Sequence, residues 1–516
     1  MRNELGFNMV QQHFDIAIIG AGPGGYSTAL RAAELGKSVA LIERDGTLGG
    51  TCLNRGCIPS KALLTAVHSV ETIHNAERMG INATLQSIDF GRLRDFRVST
   101  VETMTKGLTG LLAHRGVTVF RGCAALQNAH TVRVTPAEGE TQVLRSVEAG
   151  VFEPVETELA IDADDVVLAT GSRPLALPGN PFAGALIDST QALELNTLPS
   201  SAVIIGAGAV ALEFASLWNA AGCEVTLLIR RDRVLSTWER RASMTLTREL
   251  KRRGVNVIAR TAVDRVDTGA NLGATVHYRQ GDSDEDRTAY GEVVLAAIGR
   301  VPNTDADWFR SSGLKLDERG YVTVDGYGRT NLDGVWALGD ITPGHALAHR
   351  AFEQGITIAE KIAGADPKPV LDDTVPQVVF SFPEAASVGL TLDQAKARED
   401  VVEPKETAYP MLSNARMLMS GEGGSMTVVS GAFANNPDMQ VVLGVHIVSP
   451  IASDLIAEAE QLVGNRVPLA DAARLIHPHP TFSETLGEAL LKADGRRCIR
   501  DRRSRIAQSH HKWHGS

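Results

Sequence analysis

The amino-acid sequence predicts an α/β fold made of two similar strand–turn–helix–strand units, followed by a carboxyl-terminal α+β domain. A buried-type parallel strand at 15–19 leads through a glycine-rich turn into a helix and a second strand at 38–42. The same order recurs in the second unit, between 202 and 229. From about Asp373 onward, strands alternate with two predicted helices, which is typical of an α+β domain.

Closely spaced glycines occupy both turns between strand and helix. In such Rossmann-like units the first glycine makes the tight turn, the second admits a pyrophosphate and the third allows close helix packing. One motif of this kind is a weak signal, but two of them, each between a strand and a helix, predict two dinucleotide-binding domains. The residues at these positions are Gly20, Gly22, Gly24, Gly25, Gly206, Gly208 and Ala211. Glu43, which ends the second strand of the first unit, is predicted to accept hydrogen bonds from a ribose.

Bulk composition excludes several functional classes. The net charge of -10 gives no electrostatic case for a nucleic-acid binder. No run of about 18 apolar residues occurs, so no membrane span is predicted. The segment from Met1 to Phe14 lacks the apolar core of a signal peptide, and Met9 is an alternative start. Five cysteines in 516 residues favour a reducing, cytoplasmic compartment, with one pair kept for catalysis.

Cys52 and Cys57 stand in the run Gly-Gly-Thr-Cys-Leu-Asn-Arg-Gly-Cys-Ile-Pro-Ser-Lys, directly after the first unit. Their spacing would let both sulfurs meet on one face of a helix that begins here. A helix amino terminus and the nearby Lys61 would favour a thiolate, the reactive form. We therefore predict a redox-active pair. The alternatives are two buried free cysteines or half of a metal site, although no second cysteine pair is near enough in sequence to complete a four-cysteine site.

A second group of polar residues is predicted near the carboxyl terminus, in His-Pro-His-Pro-Thr-Phe-Ser-Glu. A base must take a proton from a dithiol before the dithiol can attack a disulfide, and histidine has a suitable ordinary pKa. His479 and His477 are both candidates. Pro480 restrains the backbone after His479, and Glu484 could hold one of its ring nitrogens.

Three further strand ends are predicted to contribute to the nucleotide sites. One strand ends at Ala-Thr-Gly-Ser-Arg-Pro, a second at Ile-Gly-Arg-Val-Pro-Asn and a third at Leu-Gly-Asp. The acid of the third could bind a flavin ribityl hydroxyl or, as the alternative, stabilise a turn. The cofactor-binding residues predicted here and after the third strand of the first unit are Gly122, Thr170, Gly171, Ser172, Gly299, Arg300, Gly339 and Asp340.

With these motifs in this order, the chain resembles the flavin-dependent disulfide reductases over about Phe14 to Lys492, and within them the dihydrolipoyl dehydrogenases. Three stretches favour that subgroup: the cysteine run, the segment Ala-Leu-Ala-His-Arg-Ala, and the His-Pro-His-Pro segment. The second stretch adds the predicted cofactor-binding residues Ala346, Leu347, Ala348 and His349. The resemblance implies FAD, a nicotinamide cofactor, and a homodimer formed by the carboxyl-terminal domain.

The resemblance also implies a relay. His479, oriented by Glu484, takes a proton from a dihydrolipoyl thiol and serves the disulfide of the other subunit, while His477 is not used. The thiolate attacks Cys52, and Cys57 is left as the thiolate beside the flavin. Lys61, which Glu213 would pair, stabilises negative charge near the flavin. The electrons leave as hydride to NAD. Lipoyl domains of 2-oxoacid dehydrogenase or glycine cleavage complexes would then be partners.

The second dinucleotide unit departs from the NAD pattern. An acid usually ends its second strand and accepts from the ribose 2′-hydroxyl, whereas here Ile229 is followed by Arg230 and Arg231. Arginines would bind the 2′-phosphate of NADP; as the alternative, they are solvated surface charges. This leaves a second hypothesis, an NADPH-dependent reductase of another small disulfide or oxidant. A non-catalytic flavoprotein scaffold is disfavoured by the complete set of cysteines, histidine and glutamate.

These assignments divide the chain into five segments. We predict an FAD-binding domain in two parts, 1–172 and 299–372, interrupted by an NAD(P)-binding domain at 173–298. The α+β dimerisation domain spans 373–495. The basic tail at 496–516 is predicted to be a disordered solvated end, with contact to an anionic partner as the alternative.

Overall fold

The computed structural model describes residues 11–269 and 273–496. They form two compact units. The first runs from the amino-terminal strand to Phe182 and includes Ile187–Leu198 and Ile298–Asp372; the second comprises Ala183–Leu186, Pro199–Ala297 and the chain from Asp373 onward. The predicted start at Met9 and all of the basic tail after Arg496 lie outside the described residues. None of the helices in the described part of the chain combines the length and hydropathy needed to cross a membrane.

Helices of the described residues vary from single turns to more than six turns. In chain order they are α1 (Pro23–Glu34), α2 (Gly50–Arg55), α3 (Cys57–Ala76), α4 (Phe90–His114), α5 (Ser189–Leu193), α6 (Ala209–Ala220), α7 (Arg240–Arg252), α8 (Asp307–Ser311), α9 (Ala348–Ile362), α10 (Leu392–Ala397), α11 (Ala415–Ser420), α12 (Ala452–Gly464), α13 (Leu469–Ala472) and α14 (Glu484–Ala493).

Strands supply the cores of both units. In chain order they are β1 (Gln11–Ile19), β2 (Val39–Glu43), β3 (Thr118–Arg121), β4 (Cys123–Asn128), β5 (Thr131–Thr135), β6 (Leu144–Glu148), β7 (Val151–Pro154), β8 (Leu159–Leu168), β9 (Ser172–Pro174), β10 (Leu186–Ile187), β11 (Ser201–Ile205), β12 (Glu224–Ile229), β13 (Asn256–Ala259), β14 (Thr261–Thr268), β15 (Ala274–Gln280), β16 (Arg287–Gly291), β17 (Val293–Ala296), β18 (Arg300–Pro302), β19 (Val335–Ala337), β20 (Gln377–Val379), β21 (Glu384–Gly389), β22 (Val401–Tyr409), β23 (Ser425–Phe433) and β24 (Asn436–Ser449).

The main sheet of the first unit has the order β4-β5-β8-β1-β2-β3-β6-β7, with β19 paired to β8. Strands β1, β2, β3, β8 and β19 form its parallel part. Ile16 and Ile18 belong to one buried cluster, whereas Ala17 and Ile19 belong to another. Because both faces are covered, β1 is apolar at every one of these positions instead of alternating. The carboxyl ends of these strands meet at one edge, where dinucleotides bind in such sheets.

The second unit contains a parallel sheet and two antiparallel ones. The parallel sheet has the order β10-β17-β11-β12-β13, and β14, β15 and β16 form a separate three-stranded sheet. The carboxyl-terminal sheet has the order β20-β21-β24-β23-β22 and is antiparallel. The α/β class and the α+β character of this last domain are confirmed. The number of helices predicted there was wrong, because five short or medium helices, α10 to α14, replace the expected two.

Candidate active site

The first glycine-rich turn joins β1 to α1 and has the geometry that a pyrophosphate needs. Gly20 has a φ of +104°, and a Cβ added there would lie 2.4 Å from the Ala169 carbonyl oxygen. A Cβ at Gly25 would lie 1.8 Å from the Gly20 carbonyl oxygen, so α1 approaches the strand closely. A Cβ at Gly22 would meet only the Gly50 Cα, at 3.9 Å. The second glycine therefore leaves room for a ligand.

Glu43 ends β2 beside this turn, and its side chain is buried. Its carboxylate accepts the Ala21 backbone N–H at 2.8 Å and the Asp45 backbone N–H at 3.0 Å. Burial raises the pKa of Glu43, and the backbone hydrogen bonds oppose that shift. The carboxylate is thus fixed at the ligand-binding edge, where a ribose hydroxyl could donate to it. Gly122 lies next to it, since its N–H donates to the Glu43 carbonyl at 2.9 Å.

The predicted residues after β8, β17 and β19 form a connected group in the first unit. The Ser172 hydroxyl donates to Asp340 Oδ2 at 2.6 Å, and Arg300 Nε donates to the same hydroxyl at 2.6 Å. Thr170 and Asn303 bind each other through two hydrogen bonds, of 2.9 and 2.8 Å. These contacts orient the Asp340 carboxylate. They leave its other oxygen for a hydroxyl-bearing ligand.

Ala346, Leu347, Ala348 and His349 lie at the amino terminus of α9. Leu347 is the residue before the helix and supplies no side-chain cap, so the first N–H groups of α9 have no acceptor from this residue. Such a helix end suits an oxygen of a bound ring or anion. Arg350, which is buried, fastens this turn because its Nε donates to Asp372 Oδ1 at 2.6 Å.

The two predicted redox cysteines lie in different helices. Cys52 is in α2, whereas Cys57 is the first residue of α3, and Gly56 separates the helices with a φ of −146° and a ψ of −106°. The prediction of one helix carrying both sulfurs on one face was therefore wrong. A Cβ at Gly56 would lie 2.9 Å from the Thr51 carbonyl oxygen, which explains why glycine makes this break.

Both cysteines are half-buried free thiols joined by a hydrogen bond. That bond, burial and the negative charge of Cys57 raise the pKa of Cys52, and the Lys61 ammonium opposes the shift. The Cys52 thiol therefore stays protonated to higher pH than an ordinary cysteine. Cys57 stands at the amino terminus of α3, where the helix dipole favours a negative charge. The geometry distinguishes a thiol at Cys52 from a thiolate position at Cys57.

Two residues near the cysteine pair were not predicted. Tyr26, the residue after the first glycine-rich turn, has its pKa raised to about 12 by burial and by the charges of Cys52 and Cys57. Arg55, between the cysteines in sequence, pairs with Asp45 at 2.5 Å and so ties α2 to the loop after Glu43. The signal for Arg55 was that it is the one charged residue in the sequence between the two cysteines.

The second glycine-rich turn joins β11 to α6 in the second unit. Gly206 has a φ of +146°, and a Cβ there would lie 2.3 Å from the Ala297 carbonyl oxygen. A Cβ at Gly208 would meet nothing within 4 Å. Ala211 is fully buried at the third position. Glu213, also buried, accepts the Phe380 backbone N–H at 3.3 Å; its predicted pairing with Lys61 stays a prediction.

Beyond the end of β12, Arg230 and Arg231 are both exposed. Neither forms an ion pair with a carboxylate among the residues that the structure describes. The neighbouring Arg233 differs, because it is half-buried and pairs with Asp232 at 2.9 Å. Two exposed guanidinium groups thus stand where an NAD-binding unit usually has an acid.

The predicted base lies in the carboxyl-terminal domain. His479 Nδ1 is 2.8 Å from Glu484 Oε1, and Glu484 Oε2 accepts the Thr481 backbone N–H at 2.9 Å. The His479 side chain is 61% exposed and that of Glu484 15%. A carboxylate at Nδ1 fixes the ring so that Nε2 can accept a proton. In the described parts of the chain, no group of three or more His, Cys, Asp or Glu side chains could hold a metal ion.

The chain combines two dinucleotide-binding turns with a cysteine pair and a histidine–carboxylate pair. These features are typical of an oxidoreductase that uses two nucleotide cofactors and acts on disulfides or dithiols. Comparison with family models agrees: residues 14–355 match the model of pyridine nucleotide-disulphide oxidoreductases, and residues 375–490 match the dimerisation domain of the same enzymes. The chain belongs to the pyridine nucleotide-disulphide oxidoreductase family.

Curated relatives and solved structures narrow the comparison. The dihydrolipoyl dehydrogenase of Geobacillus stearothermophilus is 38% identical over 92% of this chain and 94% of its own length. That of Bacillus subtilis is 35% identical over 93% and 96%. The crystal structure of LpdA from Mycobacterium tuberculosis has a TM-score of 0.79 at 27% identity, covering 93% of this chain and 99% of its own. The Cu(II) complex of the HOCl-induced flavoprotein disulfide reductase RclA from Escherichia coli has a TM-score of 0.76 at 25% identity, with the same coverage.

Proposed function

We propose that this chain is a dihydrolipoyl dehydrogenase, which oxidises protein-bound dihydrolipoamide through Cys52 and Cys57 with FAD and NAD. The observation that carries the proposal is the exposed His479 held by Glu484 at 2.8 Å, in a chain that also carries the cysteine pair. Full-length relatives named dihydrolipoyl dehydrogenase support it.

The first unit fits FAD. Its turn leaves space at Gly22, Glu43 offers a buried carboxylate to the ribose, and Asp340 is oriented for a ribityl hydroxyl. The uncapped amino terminus of α9 would hold the ring oxygen, and Cys57 and Lys61 would lie near the ring. The chemistry that a bound flavin supplies is two-electron transfer from the cysteine dithiol to the nicotinamide.

His479 starts the thiol chemistry of the protein by taking a proton from a dihydrolipoyl thiol. The resulting thiolate attacks Cys52 of the Cys52–Cys57 disulfide, so a mixed disulfide forms and Cys57 leaves as a thiolate. The second substrate thiol then attacks the substrate sulfur of the mixed disulfide, and its proton passes to the displaced Cys52 sulfur, which ends as a thiol. Lipoamide is released with a new disulfide, and the two electrons remain on the reduced cysteine pair. The raised pKa of Cys52 and the helix-terminal position of Cys57 fit these roles.

A homodimer is part of the proposal, with His479 serving the cysteine pair of the partner subunit. The match to the dimerisation-domain model supports the homodimer. Exposed apolar side chains near the proposed base His479 support it as well. Ile476, three residues before His479, is 96% exposed, and a second group lies between β22 and β23. Isolated exposed apolar residues are ordinary, but groups of them indicate an interface. The exposed members are Leu412, Leu418, Met419, Leu475 and Ile476. A cytoplasmic location and lipoyl-domain partners remain parts of the same proposal.

The first experiment is to purify the protein and measure dihydrolipoamide oxidation with NAD and with NADP across concentration series. We expect turnover with NAD, and none in Cys52→Ser, which should still retain FAD. His479→Gln should lose several orders of magnitude in the dithiol reaction and much less in NADH-dependent reduction of ferricyanide. Dithiol turnover in Cys52→Ser would refute the relay, and an unchanged rate in His479→Gln would move the base to another residue.

A second candidate is an NADPH-dependent reductase of another small disulfide or oxidant. The specific observation in its favour is that the guanidinium groups of Arg230 and Arg231 are exposed and form no ion pair with a carboxylate in the described part of the chain. The match to a disulfide reductase other than a dihydrolipoyl dehydrogenase is consistent with it. Absence of dihydrolipoamide oxidation, together with NADPH-dependent reduction of a panel of small disulfides, would replace the first proposal with this one.

A further inference from the structure

One histidine of the His-Pro-His segment has no role in the relay. His477 precedes His479 by two residues, but its environment is the opposite one. Its side chain is 9% exposed, against 61% for His479. The segment therefore has one histidine inserted into the domain and one directed outward.

Three elements surround the His477 ring. Its Nε2 is 2.9 Å from Oε1 of Glu458, which belongs to α12. The Leu475 carbonyl, on the same segment, accepts another hydrogen bond from the ring. On α14, a Cβ at Gly487 would lie 2.4 Å from His477 Nδ1, so the ring fits against a helix position that must remain glycine.

Both histidines of the His-Pro-His segment contact α14, each at a different position of the helix. His479 is held by Glu484, the first residue of α14, while His477 lies against Gly487 one turn later. His477 connects the segment to α12 through Glu458. Because residues 475–478 lie outside the helices and strands, side-chain contacts contribute to fixing the path of the segment.

We propose that His477 is a positioning residue for the base, and that its bond to Glu458 anchors the segment that presents His479. The inference rests on the proposed function, since it assigns His479 as the base. The role of His477 would be to limit where the His479 ring can lie relative to a dithiol. A general base loses efficiency when its distance to the proton that it removes is not kept short.

The charge on His477 has a further consequence. The groups that face it are Glu458 from α12 and Glu484 from α14, and the hydrogen bond to Glu458 is the main cause that raises the pKa of His477. His477 is therefore protonated at pH values where an ordinary histidine is neutral. The ion pair between His477 and Glu458 therefore persists to higher pH than one made by an ordinary histidine would.

The test uses the holoenzyme with four variants: His477→Ala, His477→Gln, Glu458→Gln, and Glu460→Gln as the matched control on the same helix. We expect His477→Ala to lower kcat for dihydrolipoamide oxidation on the order of tenfold, with little change in KM. His477→Gln keeps a donor for Glu458 and should recover part of the loss. The kcat of Glu458→Gln should lie between those of wild type and His477→Ala, and the kcat of Glu460→Gln should equal that of wild type.

Two further measurements separate positioning from general damage. The rate of ferricyanide reduction by NADH should stay within about twofold of wild type. The thermal midpoint should stay within a few degrees of wild type. An unchanged dithiol rate in both His477→Ala and Glu458→Gln would overturn the inference, as would equal loss in the dithiol and ferricyanide reactions. If wild type itself lacked dithiol oxidation, the proposed function would fail instead.

Discussion

The two dinucleotide units have the same strand–turn–helix–strand order but differ at the third glycine position, where the helix packs on the strand, and at the end of the second strand. In the first, Gly25 lets α1 approach the strand so closely that an added Cβ would lie 1.8 Å from a carbonyl oxygen. In the second, Ala211 occupies that position and is accommodated fully buried. The first unit ends β2 with the buried acid Glu43, whereas exposed arginines follow β12 in the second.

This difference indicates which features the fold requires and which the ligand requires. Both units keep a glycine with positive φ at the first position, because the turn needs it in each. The third position tolerates a methyl group where the helix lies farther away. The sheet uses only the backbone at the end of the second strand, so the side chain there can match the ribose: a carboxylate suits a diol and a guanidinium suits a phosphate.

The largest effect should come from exchanging the third-position residues. Gly25→Ala would force α1 away from the strand at a cost of about 3 kcal/mol and should abolish FAD retention. Ala211→Gly removes only a methyl group and adds backbone freedom, which should cost about 1 kcal/mol with FAD content unchanged. Flavin absorbance relative to protein absorbance after desalting, with urea unfolding, measures both. A Gly25→Ala protein with full FAD content would show that the close approach is not needed.

The arginines of the second unit provide the next test. Replacing Arg230 and Arg231 together with alanine should raise KM for NADP on the order of tenfold to a hundredfold, because charge-assisted hydrogen bonds to a phosphate are lost. KM for NAD should not change. Arg287→Ala, which removes another exposed arginine of the same unit, is the control. Equal KM values for NADP in the double variant and the control would make the two arginines surface charges.

Most of the fold could be predicted from local sequence, for physical reasons that specific residues show. Ile16 to Ile19 are buried on both faces of a parallel sheet, so the strand is continuously apolar and easy to predict. The glycines of both turns identify the edge where ligands bind. The single helix expected across the cysteines was wrong because Gly56 has a non-helical backbone conformation, which the spacing of Cys52 and Cys57 does not reveal.

Sequence spacing could suggest contacts between candidate site residues that are close in the chain, but not contacts that the fold makes between distant residues. Glu484 is five residues from His479, so a spacing argument could find it. Glu458 is 19 residues from His477 and reaches it only because α12 and the His-Pro-His segment pack together. Likewise, Asp340 and Ser172 are 168 residues apart, and only the pairing of β19 with β8 makes them neighbours.

Glu43 can be tested by removing its charge while keeping its shape. Glu43→Gln replaces one acceptor with an amide N–H that faces a backbone N–H, so we expect FAD affinity to fall on the order of tenfold. Glu34→Gln, at the exposed end of α1, is the matched control. The affinity is measured by adding FAD to the apoprotein and following flavin fluorescence. The control variant should bind FAD as tightly as wild type. An unaltered affinity in Glu43→Gln would mean that the ribose is held by the backbone alone.

The smallest expected effect is a difference in pH dependence between the two units. Burial raises the pKa of Glu43, so in the ligand-free protein its contribution to stability is full below the ordinary glutamate pKa and is lost as pH rises through the raised value. FAD binding has the opposite sense, because ribose hydroxyls donate to the ionised carboxylate. FAD affinity should therefore fall about two- to fivefold between about pH 7.5 and about pH 5. The second unit has no carboxylate at the end of β12, so NAD affinity should not follow the same curve. Glu43→Gln should remove the dependence for FAD. If the dependence persisted in that variant, another group would be titrating at the first unit, and the contrast between the two strand ends would lose its electrostatic part.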